Sequence, residues 1–189
     1  MATDNFDRAD LGSNWTKIST DDCSIESNKV RTGVNVESAI RWSAEGVPDN
    51  QYSSVVMLTS DMSSYTMFGP VVRAQVSGFS GYAFRREGDF IYRMYKIVSG
   101  SWTQLGSVFY NPSEVSGDVL RLEIVGSTLK AFINGVLKRT ASDSTYASGS
   151  PGIYIYQVGT SPVFYGDDWE GGAIKSRTML PSFKPRIAE

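Results

Sequence analysis

"LRLEIVGSTLKAFINGVLK", Leu120–Lys138, decides the fold class. Leu120, Leu122 and Ile124 alternate with Arg121, Glu123 and Val125, the period-two pattern of a strand with one buried face. Gly126-Ser127 then reverses the chain, and Leu129, Ala131 and Ile133 repeat the pattern. Asn134-Gly135 follows, the dipeptide that best tolerates the positive φ angles of a tight hairpin turn. Val136 and Leu137 open a third strand, so the stretch predicts a β-meander.

Working outward, the same short, punctuated units recur. "ESAIRWS" (Glu37–Ser43), "YSSVVMLTS" (Tyr52–Ser60), "GPVVRAQV" (Gly69–Val76) and "GYAFRRE" (Gly81–Glu87) read as strands. So do "FIYRMYKIV" (Phe90–Val98), "GIYIY" (Gly152–Tyr156) and "PVFYGDDW" (Pro162–Trp169). No window carries a sustained helical period, and "TASDSTYASGSPG" (Thr140–Gly152) reads as a surface excursion. Many short strands at hairpin spacing predict an all-β, two-sheet antiparallel sandwich. The run Val55-Val56-Met57-Leu58 favours a sandwich, because it suits a strand covered on both faces.

With 189 residues, the chain is expected to form one domain with a real core; a chain near this size buries roughly 70% of its unfolded surface. The net charge is −2 with both signs interspersed, so nothing predicts a nucleic-acid-binding stripe. No apolar run approaches the ~18 residues that a membrane helix needs. The start, "MATDNFDRAD", lacks the basic and apolar regions of a signal peptide. Cys23 is the single cysteine and is expected in the core. The absence of histidine removes Ser-His-Asp and Cys-His nucleophile pairs and His-based zinc sites. Catalysis would have to rest on carboxylates, lysine or tyrosine. After Trp169 the alternation fades, and the segment to Glu189 mixes Lys175, Arg177, Lys184 and Arg186 with two prolines. The boundaries adopted are a sandwich over 1–172 and a C-terminal arm over 173–189. Met179, Leu180, Phe183 and Arg186 are the residues by which the arm would dock on a partner.

Four segments together resemble the concanavalin A-like, laminin G-like sandwich superfamily: "DNFDRADLGSNW" (Asp4–Trp15), "GPVVRAQVSGFSGYAFR" (Gly69–Arg85), the meander continued to Ile153, and "DDWEGG" (Asp167–Gly172). Their order and spacing resemble a branch common in bacterial and bacteriophage surface proteins. The resemblance implies a jelly roll whose first and last strands pair. It also implies several functions, because lectins, carbohydrate-binding modules, glycoside hydrolases and virion proteins share the fold. The leading expectation is a non-catalytic bacteriophage virion surface protein, a capsid decoration or head or tail accessory component. Such a protein is made in the host cytoplasm, works in multiple copies, and has other virion subunits as partners. A carbohydrate-binding module adhering to host glycans outside the cell is the alternative, and a carboxylate-based glycosidase the second. No nucleic acid, membrane insertion or cofactor is expected.

Candidate site residues follow from these readings. A glycan needs exposed rings beside polar groups, and Tyr92, Tyr95 and Trp102 are the chosen platform, near a polar strand and a loop. A hydrolase needs two carboxylates ~5 to 9 Å apart, and the superfamily's E-x-D-x-x-E and E-x-D-x-E spacings do not occur. Glu87 and Asp89 are read as solvated turn residues. Asp4, Asp7 and Asp10 would approach Asp167 and Asp168 if the terminal strands pair; calcium there is open but no metal ligand is assigned, and Arg8 is the competing neutraliser.

Overall fold

A computed structural model describes residues 1–21, 23–44, 46–62, 65–160 and 163–174. They form β1 (Ala2–Asp4), β2 (Trp15–Lys17), β3 (Ser24–Glu26), β4 (Lys29–Arg31), β5 (Glu37–Trp42), β6 (Gln51–Thr59), β7 (Met67–Ala74) and β8 (Gly81–Glu87). There follow β9 (Ile91–Val98), β10 (Ser101–Tyr110), β11 (Val119–Val125), β12 (Thr128–Ile133), β13 (Val136–Ser142), β14 (Ser150–Tyr156) and β15 (Phe164–Ala173). One sheet runs β13-β12-β11-β6-β15-β4-β3, with β1 added along β15; the other runs β10-β9-β8-β7-β14-β5-β2. The architecture is an all-β antiparallel jelly-roll sandwich.

The meander behaves as its alternation predicts. Leu120, Leu122, Ile124, Leu129 and Ala131 are wholly buried, and Asn134 and Gly135 both hold positive φ at the hairpin. These side chains meet Tyr82, Phe84, Ile153 and Ile155 of the facing sheet in one core. Each such burial contributes about 1.5–3 kcal/mol.

Three differences from the sequence reading have physical causes. The segment over 140–152 is shared between two strands, because β13 runs to Ser142 and β14 begins at Ser150. The loop between is pinned: Asp143 accepts Tyr82 Oη at 2.8 Å and Lys96 Nζ at 3.1 Å, while Tyr146 Oη donates to Ile97 O at 2.9 Å. Val56 and Leu58 are only half-buried; the strand covered along its whole length on both faces is β8. β15 runs to Ala173, and Ile174 N donates to Asn50 O at 3.1 Å, so the strand enters the segment assigned to the arm.

The N-terminal "DNFDR…W" motif closes the sandwich. β1 pairs with β15, Asp4 opposite Trp169. The Asp4 carboxylate accepts both Arg8 Nη atoms at 2.6 Å, Trp15 Nε1 at 2.7 Å and Phe6 N at 2.8 Å. Burial alone would raise this carboxyl; the donors and the Arg8 charge outweigh it and hold it below the usual range. Trp42 then stacks on Trp169, and Trp15 meets both edge-on, with centroids 4.6–5.4 Å apart.

A second polar knot lies wholly inside. Arg86 points from β8 into the core, and its Nη2 reaches Glu114 Oε1 at 2.8 Å with both side chains fully enclosed. Tyr92 Oη donates to Glu114 Oε2 at 2.6 Å, and Arg86 also donates to the carbonyls of Thr66 and Met62. Removing one partner of a buried pair strands the other charge. Glu114→Ala is therefore expected to lower stability by about 3–5 kcal/mol in urea unfolding; a loss under about 1 kcal/mol would show that the pair is dispensable. Asp143 supplies the pH dependence. Burial opposes its ionisation, but donors from Thr145, Tyr82 and Lys96 prevail and hold its carboxyl well below the usual carboxylate range. A depressed folded pKa stabilises above the unfolded value and is lost as pH falls. Melting temperature should thus drop below about pH 4, and Asp143→Asn should flatten that limb.

Candidate functional site

The outer face of the β10-β9-β8-β7-β14-β5-β2 sheet carries a cluster of its own where a sandwich ordinarily meets water. Ile18, Ala39, Val71, Phe79, Ala83, Ile97 and Tyr154 are buried there, with Met67, Tyr95, Trp102 and Tyr156 packed around them. Alternation explains the placement. Tyr82, Phe84 and Arg86 of β8 point inward, so Ala83, Arg85 and Glu87 point outward; on β14, Ile153 and Ile155 point inward and Tyr154 and Tyr156 outward.

Arg85 is the hub. Its Cζ lies 3.9 Å from the ring centre of Trp102, 4.6 Å from Tyr95 and 5.3 Å from Tyr154. Its Nε donates to Glu87 Oε1 at 2.9 Å and its Nη1 to Tyr154 Oη at 3.2 Å. Tyr154 Oη in turn donates to Glu37 Oε1 at 2.9 Å. Gly69 lies between Arg85 and Tyr154, and a Cβ there would sit 2.0 Å from the Phe84 carbonyl. Only glycine allows this close approach. Burial pushes the Tyr154 phenol up, helped by the Glu37 charge and opposed by Arg85, so it stays a protonated donor at neutral pH.

Glu87 is not a solvated turn residue. It ends β8 nine-tenths buried, because Arg85, Arg93 and Tyr95 all converge on its carboxylate; the Tyr95 hydroxyl donates at 2.7 Å. Asp89, two residues on, is exposed in the turn and accepts Tyr65 Oη at 2.8 Å. Phe79, carried by the β7–β8 loop, stacks on Tyr154 with centroids 5.5 Å apart and meets Trp102 edge-on at 5.3 Å. A cleft of about 360 Å³ opens between Glu37, Met67, Arg85, Trp102, Tyr154 and Tyr156. A second hollow of about 390 Å³, lined by Ser19, Thr20, Phe79 and Ser99, shares Glu37 with it. The face thus offers rings, fixed hydrogen-bond donors and an acceptor in a preformed surface.

The structure divides the expected platform. Tyr95 and Trp102 lie together on this face, their rings 5.2 Å apart. Tyr92 does not join them: it is 0% exposed and points into the core, where Glu114 holds its hydroxyl. The choice placed Tyr92 and Tyr95 together, but three residues along a strand lie on opposite faces. Arg85, Glu87, Glu37 and Phe79 are functional candidates beyond those chosen. The signal available for two of them is the Arg85/Glu87 spacing, opposite charges on one face of a strand. The docking residues Met179, Leu180, Phe183 and Arg186 lie outside the described residues. Among the described residues no group of three or more His, Cys, Asp or Glu has metal-holding geometry, and Asp4 is engaged by Arg8, Trp15 and the Phe6 N–H. Asp167 is pushed up by its own burial and by the neighbouring charges of Asp168 and Asp7, against Lys29 and the Asp168 N–H.

No protein-family model matches the chain, and no curated protein matches it significantly. Solved structures do. A carbohydrate-binding module from Bacillus subtilis is similar at 15% identity and a TM-score of 0.70, covering 86% of this chain and 98% of that one. A β-glucanase from Bacillus licheniformis is similar at 10% identity and 0.64, covering 92% and 98%. A galectin from Caenorhabditis elegans is similar at 14% identity and 0.52, covering 75% and 93%. At such identities the likeness shows the fold alone, a two-sheet antiparallel jelly-roll sandwich.

The ion-pair hub yields a direct test. Glu87→Gln keeps the shape but removes the charge that balances Arg85 and Arg93. It should cost about 1–3 kcal/mol in chemical unfolding and shift Trp102 fluorescence, since the indole rests on Arg85. Unchanged stability and emission would show that the carboxylate does not organise the face.

Proposed function

We propose that this chain is a non-catalytic carbohydrate-binding module whose ligand lies along the outer face of the seven-stranded sheet. The observation that carries the reading is the Trp102–Tyr95–Tyr154 cluster built around Arg85 on that face. Sugar rings present C–H surfaces that pack on aromatic rings, while their hydroxyls require fixed donors and acceptors. Glu37 and Arg93 provide such groups at the edges of the cluster. The similar solved structures include a carbohydrate-binding module and a galectin, which favours the same class.

The non-catalytic part rests on charge. A glycosidase needs one carboxyl that holds a proton for the leaving group. On the outer face Glu87 is already engaged by two guanidinium groups and a phenol, which argues against that role for it. This face supports the alternative expectation, a module adhering to glycans, over the virion reading that led the sequence analysis. Capsid decoration, virion subunits as partners and multicopy assembly rest on the sequence resemblance alone. No helix of the described residues is long and apolar enough to cross a membrane.

Trp102→Ala is expected to reduce binding to the best ligand of a glycan array by roughly thirtyfold, the scale of a buried aromatic anchor. Val125→Thr, exposed at the end of β11 in the other sheet, should bind as the parent does. An array with no ligand, or full binding by a folded Trp102→Ala protein, would refute the reading. Release of reducing sugar from any bound polysaccharide would refute its non-catalytic half.

A further inference from the structure

Among the described residues four strands end the two sheets, and three of them are guarded against pairing with another chain. β2 and β3 are only three residues long, and β13 carries Lys138 and Arg139. Short edges and charged edges are the usual protection. β10 has neither: it runs for ten residues, and no charged residue occurs from Ile97 to Ser113. We propose that the first half of β10, Ser101–Leu105, is an interface on which a second copy of this chain pairs antiparallel about a two-fold axis.

The backbone selects that half. Ser99 and Gly100 both hold positive φ in a two-residue turn, so Val98 and Ser101 form the hydrogen-bonded pair that closes the β9–β10 hairpin. Bonded and non-bonded pairs then alternate along the ladder, which directs the N–H and C=O groups of Trp102 and Gln104 to the open edge. Ser101, Thr103 and Gln104 are exposed there. Beyond Leu105 the edge is closed: the pairing with β9 shifts register before Phe109, and Arg139 Nη2 from β13 donates to the Val108 carbonyl at 2.8 Å.

The missing charge points to the occupant. Across a two-fold axis a strand meets itself reversed, so a charge near the axis would face its own copy. A different protein is instead told apart by complementary charges, and this edge offers none. Thr103 is the midpoint of the open stretch. An axis through it sets Trp102 opposite the partner's Gln104, so that the outward backbone groups of both residues are satisfied. Leu105 packs into the core between the sheets, whereas Trp102 lies on the outer face. Paired residues share a face, so the outer faces of two copies become continuous, with the partner's Gln104 beside Trp102. This arrangement stands whether or not a glycan binds there.

Five paired residues bury little surface, so the dimer is expected to be weak and reversible. Sedimentation equilibrium of the full chain, from low micromolar to near-millimolar concentration, should show the mass doubling. Thr103→Lys should raise the dissociation constant at least tenfold with the melting temperature unchanged. Leu137→Lys, at an exposed position on the other long edge, should leave it as in the parent. Cysteines read the register. Partners in a non-hydrogen-bonded pair have Cα atoms about 4.5 Å apart, within disulfide reach, so Thr103→Cys should oxidise to a covalent dimer. Ser101→Cys would hold its two copies about 13 Å apart and should not cross-link. Cys23 is buried and leaves both variants readable. A protein that stays monomeric throughout, a dimer indifferent to Thr103→Lys, growth into open chains, or cross-linking as efficient through Ser101→Cys as through Thr103→Cys would each overturn the proposal.

Discussion

Two consecutive arginines on one strand govern this molecule. Arg85 and Arg86 sit in the middle of a sheet that is covered on both sides, and the pleat sends them to opposite faces. Neither can reach open water, being 7% and 0% exposed, so each must find its counter-charge locally. Glu114 meets Arg86 from the loop after β10, and Glu87 meets Arg85 from two residues along the same strand. A core of this size would gain from apolar replacements at both places, since buried pairs seldom add net stability. What the pairs do add is register. A one-residue slip of β8 would exchange the faces, turning Arg86 away from Glu114 and carrying the Arg85–Glu87 pair into the core.

The same arrangement accounts for the order of the outer face. A guanidinium flat against an indole and within reach of two tyrosine rings is held by its carboxylate at the far end. The rings around it are therefore fixed before any ligand arrives. Binding to a prepared surface spares the cost of immobilising side chains, and so a shallow face with few polar contacts is enough for recognition.

Legibility in the sequence follows the physics of each element. The meander was readable because one of its faces is core and the other water, which writes the period of two directly into residues 120–133. β10 was not, because it is an edge strand, mostly exposed, with Gly106 at positive φ breaking its pairing with β9. β1 to β4 are three residues or little more, too short for any period, and exist only because longer strands accept them. Of the candidate site, Trp102 and Tyr95 could be chosen by residue type, whereas Tyr92 was misplaced because aromatics populate both faces of β9. Arg85 and Glu87 were hidden by burial: charged residues ending a strand ordinarily mean a solvated turn.

The N-terminal segment, one of the four that resemble the superfamily, is spent on closing the fold. Asp4, Arg8 and Trp15 spend their polar atoms on one another, tying the first strand to the last. Such residues announce a fold because the fold needs them. A residue that meets a ligand is under the opposite demand, since it must keep an accessible hydrogen-bonding group unspent. A motif built from mutually satisfied groups therefore reports how the sandwich is closed, and what the surface binds is a separate question, decided by other residues.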